Sequence, residues 1–127
     1  MNPISGQIVI SFAEKGNSTT FKKHLKKVIK SFRDEKLIIV LDNVKYHHAK
    51  KLKPFLEQNR KRLELMFLPP YSPDLNPIER VWWFMRKKIT HNRYLHTLKE
   101  RKAKFWMMFS HYLYPNDDLK NICVLNY

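Results

Sequence analysis

The sequence predicts an α/β domain, with helices packed on a mixed sheet. Three observations carry that expectation. Short apolar runs at 7–13, 37–41 and 63–68 read as strands. Segments with helical periodicity lie between and after them. No linker interrupts the 127 residues, so the chain 1–127 is expected to form one domain.

Taken in order, QIVISFA at 7–13 follows Gly6 and is rich in β-formers, which predicts a strand. GNSTT at 16–20 then supplies N-cap candidates for a helix. In that helix Phe21, Leu25, Val28, Ile29 and Phe32 form one apolar stripe, while Lys22, Lys23, Lys26, Lys27 and Lys30 take the opposite side. LIIVL at 37–41 is continuously apolar, the pattern of a strand buried on both faces, and it ends at Asp42. A helix over 49–59 should carry Leu52, Phe55 and Leu56 inward. Pro54 is tolerable only in a first turn, so this helix is expected to start late or to kink. LELMFL at 63–68 is the next strand.

PPYSPDLNP at 69–77 is a stiff connection, and Ser72-Pro73-Asp74 has turn chemistry. Asn76 as N-cap, Pro77 at N1 and Glu79 at N3 make a capping-box arrangement. The helix that follows sets Ile78, Val81, Trp82, Met85 and Ile89 on one side, with Trp82 as core. A last helix over about 96–112 turns Leu98, Phe105, Trp106, Phe109 and Leu113 inward, and Met107-Met108 reads as packing. Residues 113–127 are expected to be an irregular tail.

Charge narrows the partners. Lys plus Arg number 25 against 11 Asp plus Glu, a net charge of +14 with a pI near 10.0. Such an imbalance favours a polyanion, because each neutralised phosphate releases condensed counterions; a lysine-rich solvated surface is the plain alternative. The lone Cys123 cannot form an internal disulfide, and no Cys/His cluster has zinc spacing, which points to a reducing compartment. The longest apolar run is too short to span a membrane. The start MNPISGQIVISF lacks the pattern of a signal peptide. A cytoplasmic protein with no membrane partner is expected.

Sites in α/β sheets gather at the carboxyl ends of strands. Asp42 stands at such an end, and Glu79 opens the helix after the next strand. Their carboxylates are expected to approach one another on one rim, where Mg²⁺ or Mn²⁺ would find oxygen ligands. Two such ions about 4 Å apart activate a water or 3′-hydroxyl in phosphodiester chemistry. Two plainer readings stay open: Asp42-Asn43 as a turn, and Glu79 as a capping partner only.

DNVKYH at 42–47 together with LPPYSPDLNPIERVW at 68–82 resembles the insertion-sequence transposases of bacteria and archaea related to the mariner elements. The match is specific: a hydrophobic strand ending in Asp-Asn, a His five positions after the Asp, and a proline-rich loop ending in Asn-Pro-Ile-Glu. It extends more weakly back to Gly6 and forward to about residue 112. The resemblance implies a ribonuclease-H-like fold, divalent metal, and DNA strand cleavage followed by strand transfer. By position Asp42 matches the second acid of the DDE triad and Glu79 the third, with Asn43, His47 and Asn76 in supporting places. The family's first Asp, on the central strand of the sheet, is expected to lie upstream of Met1, as is its helix-turn-helix DNA-binding region; Glu14 and Asp34 do not occupy matching positions. The sheet is therefore expected to be incomplete, and a non-catalytic DNA-binding or assembly module is the rival to an active enzyme.

Other residues carry weaker signals. His47 and His48 are adjacent and poorly placed to share one ion; His47 orients a carboxylate or phosphate, or simply starts a helix. Trp83 lies off the apolar stripe and fits base stacking or packing. Lys45, Arg80, Lys87 and Lys88 are candidate DNA-phosphate contacts among clusters that individually suit a solvated face. Without a central partner strand, 37–41 would present an unpaired edge. The segment 7–13 could pair with it, or a homodimer could supply the partner, and the homodimer is the expectation.

Overall fold

The computed structural model describes residues 1–70, 76–90 and 97–123. They form two compact units: a sheet unit, Val9–Asn76, and a helical unit made of Met1–Ile8 with Pro77–Tyr127.

The sheet unit begins with α1, Ser18–Ser31. Asn17 caps it in a full capping box: its Oδ1 accepts from the Thr20 amide at 3.0 Å, and Thr20 Oγ1 accepts from the Asn17 amide at 3.1 Å. Leu25 is buried on the apolar stripe; Lys23, Lys26, Lys27 and Lys30 are exposed. The chain then turns through Asp34, which holds a left-handed φ of 63°, a conformation that Asp tolerates better than most residues.

Two strands follow, β1 (Leu37–Leu41) and β2 (Leu63–Phe67), paired in parallel from Leu37 opposite Leu63 to Leu41 opposite Phe67. The late start expected for the intervening helix is observed: two 3-10 turns, Lys45–His48 and Lys50–Leu52, precede α2, Lys53–Gln58, and Pro54 falls in its first turn. Leu25, Phe55 and Leu63 form the core, with Phe21, Ile29, Leu37, Ile39, Leu56 and Leu65 around them.

Two expectations fail here. The run 37–41 is not buried on both faces. α1 and α2 cover the side of Leu37 and Ile39, while Ile38 is 56% exposed, Val40 41% and, on β2, Met66 53%. Residues 7–13 form no strand. In the sheet unit Lys27 Nζ donates to the Ile10 carbonyl and Ser11 Oγ bonds His24 Nδ1 at 2.7 Å, so this segment is tied to α1. A β-prone sequence becomes a strand only where a ladder partner accepts it, and the two-stranded sheet holds β1 and β2 alone among the described residues.

The helical unit contains α3 (Ile78–Thr90), α4 (Leu98–Phe109), a 3-10 turn Ser110–Leu113, and α5 (Asp117–Ile122). Thr97 caps α4 by accepting from the Glu100 amide at 3.1 Å. α5 corrects the expected irregular tail over 113–127. Asn116 nucleates it: its Oδ1 accepts from the Leu119 amide at 2.9 Å, while its Nδ2 donates to the Gly6 carbonyl at 3.0 Å and the Tyr114 carbonyl at 2.9 Å. Gly6 is obligatory here, since at φ 76° an added Cβ would fall 2.3 Å from the Asn116 carbonyl oxygen.

Among the described residues, Val81, Met85, Phe109, Tyr112 and Leu119 are the buried apolar residues of this unit's helices. Trp82 and Trp106, both expected in the core, are exposed, and so is Met107 at 74%. On α3 the buried positions are Val81 and Met85, and Phe84 is half-buried and packs on Tyr112 at 6.2 Å; this rotates the inward face away from Trp82. Cys123 is buried near Met1 Sδ, and burial raises its thiol pKa. The Ser72-Pro73-Asp74 turn, the side chains of Ile89 and Leu98, and the start of the last helix near 96 lie outside the described residues.

Candidate functional site

The parallel register brings β1 and β2 to the same rim, and the Leu68 amide donates to the Leu41 carbonyl at 2.8 Å to close the ladder there. Asp42 is the next residue and is half-buried. Its backbone carbonyl is the hub of the turn that follows: it accepts from the Val44 amide at 3.0 Å and from His47 Nδ1 at 2.9 Å. A carbonyl only accepts, so Nδ1 of His47 carries the proton, and its Nε2 is the nitrogen available to a ligand. The ring is wedged between Phe21 at 4.5 Å and Tyr46 at 4.6 Å. His47 thus orients the Asp42 main chain, not its carboxylate. His48 hydrogen-bonds Asn43 Oδ1 and stacks on Phe67 at 3.9 Å. The two histidines therefore turn to different partners.

Asn76 closes the site from the far end of the proline-rich loop. It is only 8% exposed, and its Nδ2 donates to Asp42 Oδ1 at 3.4 Å. At that length the contact is weak and acts mainly to position the carboxylate. α3 starts at Ile78, one residue later than the capping-box reading placed it.

In the helical unit Glu79 is exposed in the first turn of α3, where the helix dipole stabilises a carboxylate. Arg80 donates from its guanidinium to the Ile122 carbonyl at 3.4 Å. Lys87 sits over the Trp83 ring at 4.8 Å and Lys88 over the Phe84 ring at 4.6 Å. Lys45, in the sheet unit, is exposed at the start of its 3-10 turn.

Hard divalent ions need several oxygen donors, and a two-ion site needs more than one carboxylate. Among the described residues no three His, Cys, Asp or Glu side chains gather as a metal shell would require. The described donors do not by themselves fit a complete two-ion centre.

Two features were not read from the sequence. Arg62 donates to the carbonyls of Phe32 at 2.7 Å, Glu35 at 3.1 Å and Ile29 at 3.4 Å, closing the C-terminal end of α1. No local pattern marks it, because its partners lie about thirty residues away in sequence. A cavity of about 290 Å³ is lined by His47, His48 and Lys53 with a floor of Leu56, Leu63, Leu65 and Phe67; only the fold brings these together.

The family of DDE superfamily endonucleases matches over residues 1–102. An uncharacterized protein of Sinorhizobium fredii is 38% identical over 78 residues, which is 61% of this chain and 54% of the relative. An uncharacterized 39 kDa protein of insertion element IS630 from Shigella sonnei is 31% identical over 77 residues, 60% of this chain and 22% of the relative. The chain thus spans about half the length of the first and about a fifth of the second. No solved structure matches the chain. The family match covers both halves of the motif, the Asp42 turn and the Asn76–Glu79 helix start, and the chain belongs to the DDE superfamily endonucleases.

Proposed function

We propose that the chain is the part of a transposase catalytic domain, ribonuclease-H-like in fold, that cuts DNA phosphodiesters and joins the freed 3′-hydroxyl to target DNA, in the prokaryotic cytoplasm and at the nucleoid. The observation that carries this is the meeting of Asp42 and Asn76. The two halves of the family motif, distant in sequence, converge on one strand-end carboxylate. Asp42 and Glu79 are the acids this chain contributes, and Mg²⁺ or Mn²⁺ is the cofactor class they would help to hold. The ion would supply activation of the attacking oxygen and stabilisation of the leaving one. The chain's own residues do the rest. Asn76 helps position the Asp42 carboxylate, His47 holds its main chain, Asn43 engages His48, and Lys45, Arg80, Lys87 and Lys88 lie among the cations that neutralise DNA phosphates.

A second reading is a DNA-binding or assembly module without chemistry. It is favoured by the absence, among the described residues, of any group of three His, Cys, Asp or Glu side chains that could hold a metal ion. One assay separates the two: nicking of supercoiled DNA with Mg²⁺ or Mn²⁺, alongside binding at stepped salt. The enzyme reading expects slow nicking that Asp42→Asn and Glu79→Gln each reduce by roughly 100-fold or more, and binding that falls steeply with salt. Salt-sensitive binding without nicking selects the module. Nicking that both variants retain overturns the assignment of the acids.

A homodimer belongs to the same proposal. β1 is uncharged, has β2 as its one sheet neighbour among the described residues, and shows Ile38 and Val40 to solvent; such an edge invites a strand from a second copy. Sedimentation that stays at the 15.5 kDa monomer across concentration would remove the dimer.

A further inference from the structure

We infer that Trp83 is a stacking platform for an unpaired DNA base, with Lys87, Arg80 and Arg86 placed around it for the adjoining phosphates. The inference deepens the DNA-processing reading above and rests on it.

The argument starts from the face of α3. Val81 is 1% exposed and Met85 4%. Trp83 is two positions from each, and at about 100° per residue it points nearly opposite to both. It is accordingly 64% exposed. One exposed indole is common on protein surfaces and by itself means little. This one is surrounded in a particular way. Arg80 lies one turn before it, and Arg86 and Lys87 one turn after; all three are exposed. The Lys87 ammonium stands 4.8 Å from the ring centroid. That contact puts a cation over one face of the ring, within reach of the phosphate of a nucleotide whose base stacks on the opposite face.

Charge selects the occupant. A chain of net charge +14, with Lys87 at an exposed indole and Arg80 and Arg86 one turn away on α3, suits a polyanion that also offers flat apolar surfaces. Nucleic acid has both. Within a duplex each base is covered above and below by its neighbours, leaving only edges in the grooves. An unpaired base offers its π-face, and aromatic residues in basic grooves take such bases without sequence preference. Strand cutting and joining leaves unpaired ends, so single-stranded DNA is the form this surface would meet.

The test uses the whole chain and three probes: a single-stranded oligonucleotide, the corresponding duplex, and a single strand carrying 5-iodouracil. Irradiation of the last is expected to crosslink residue 83, located by mass spectrometry. Trp83→Ala should weaken single-strand binding by about tenfold or more while duplex binding changes less than about twofold. Trp83→Phe should keep most of the affinity, which excludes misfolding as the cause. Equal losses on both DNAs would assign Trp83 to helix packing or groove contact and overturn the inference. So would an absence of crosslinking at residue 83, or a change confined to the sedimenting mass, which would make this face a protein contact. Failure of the nicking assay with the crosslink retained would remove only the cleavage reading.

Discussion

The two units hold their candidate residues by different means. In the sheet unit Asp42 is fixed through the backbone. Its carbonyl takes two donors, and its carboxylate meets the amide of a buried Asn76. In the helical unit Glu79, Trp83 and Lys87 stand on the exposed side of α3, and what positions them is helix periodicity above buried Val81 and Met85. A strand end with a hub carbonyl defines one side chain closely. A helix face presents several side chains at once and defines none as tightly. The first suits a group that must be placed against a reacting atom, the second a surface that must follow a flexible polyanion.

Substitutions can break this contrast. The largest effect is expected at Gly6, where the helical unit depends on backbone geometry after all. Gly6→Ala adds a Cβ at 2.3 Å from a carbonyl oxygen in a left-handed conformation, and should cost about 3 kcal/mol in urea unfolding. Hydrogen exchange should report lost protection at the Ile8 and Asn116 amides, which bond the carbonyls of Tyr112 and Ser5. A loss under about 1 kcal/mol would mean that the N-terminal segment relaxes freely.

Next is Arg62→Ala. It leaves the carbonyls of Phe32, Glu35 and Ile29 without their cationic donor and should cost about 2 kcal/mol, read by chemical denaturation. Arg62→Lys should recover part of it, since one ammonium cannot serve three carbonyls as a planar fork does. No loss would show that water replaces the guanidinium there.

A paired change on β1 is smaller and sharper. Ile39→Thr places a hydroxyl in the covered face and should cost about 1–2 kcal/mol. Ile38→Thr, on the open face, should stay within about 0.5 kcal/mol. If both cost the same, something covers the second face in solution, and the proposed homodimer becomes the first suspect.

Much of this was legible in the sequence. The apolar stripe of α1, the strands read at 37–41 and 63–68 and the delayed start of α2 at Pro54 come from local spacing, and the motif around Asp42 from its resemblance to a known family. What was not legible depends on partners. QIVISFA has strand composition but ties to α1, because strand formation is decided by a neighbour. LIIVL looks alike on both faces, and only one is covered. Trp82 fits an apolar stripe on paper, yet the packing of Phe84 on Tyr112 turns the helix differently. Arg62 looks solvated because its carbonyl partners are remote in sequence. The short α5 was missed because six residues carry too little periodicity, although Asn116 ahead of two aspartates is a capping signal.

The smallest effect concerns pH and the segment that failed to become a strand. His24 on α1 bonds Ser11 Oγ at 2.7 Å, and burial, with the positive charge of Lys27 nearby, lowers its pKa from the ordinary 6.5. The sign follows from which state binds the proton first. As pH falls through about 6.5, the unfolded chain protonates His24 while the folded chain still resists, so stability drops on acidification and is unaffected by this group above that pH. His24→Gln keeps a polar partner for Ser11 and removes the titration. The expected result is a melting temperature that falls from pH 7 to pH 5 in the natural chain, and falls less in the variant, with Ser11→Ala leaving the slope largely intact because burial is the main cause. An unchanged slope in His24→Gln would place the acid sensitivity elsewhere and leave residues 9–13 held to α1 chiefly through Lys27 and the Ile10 carbonyl.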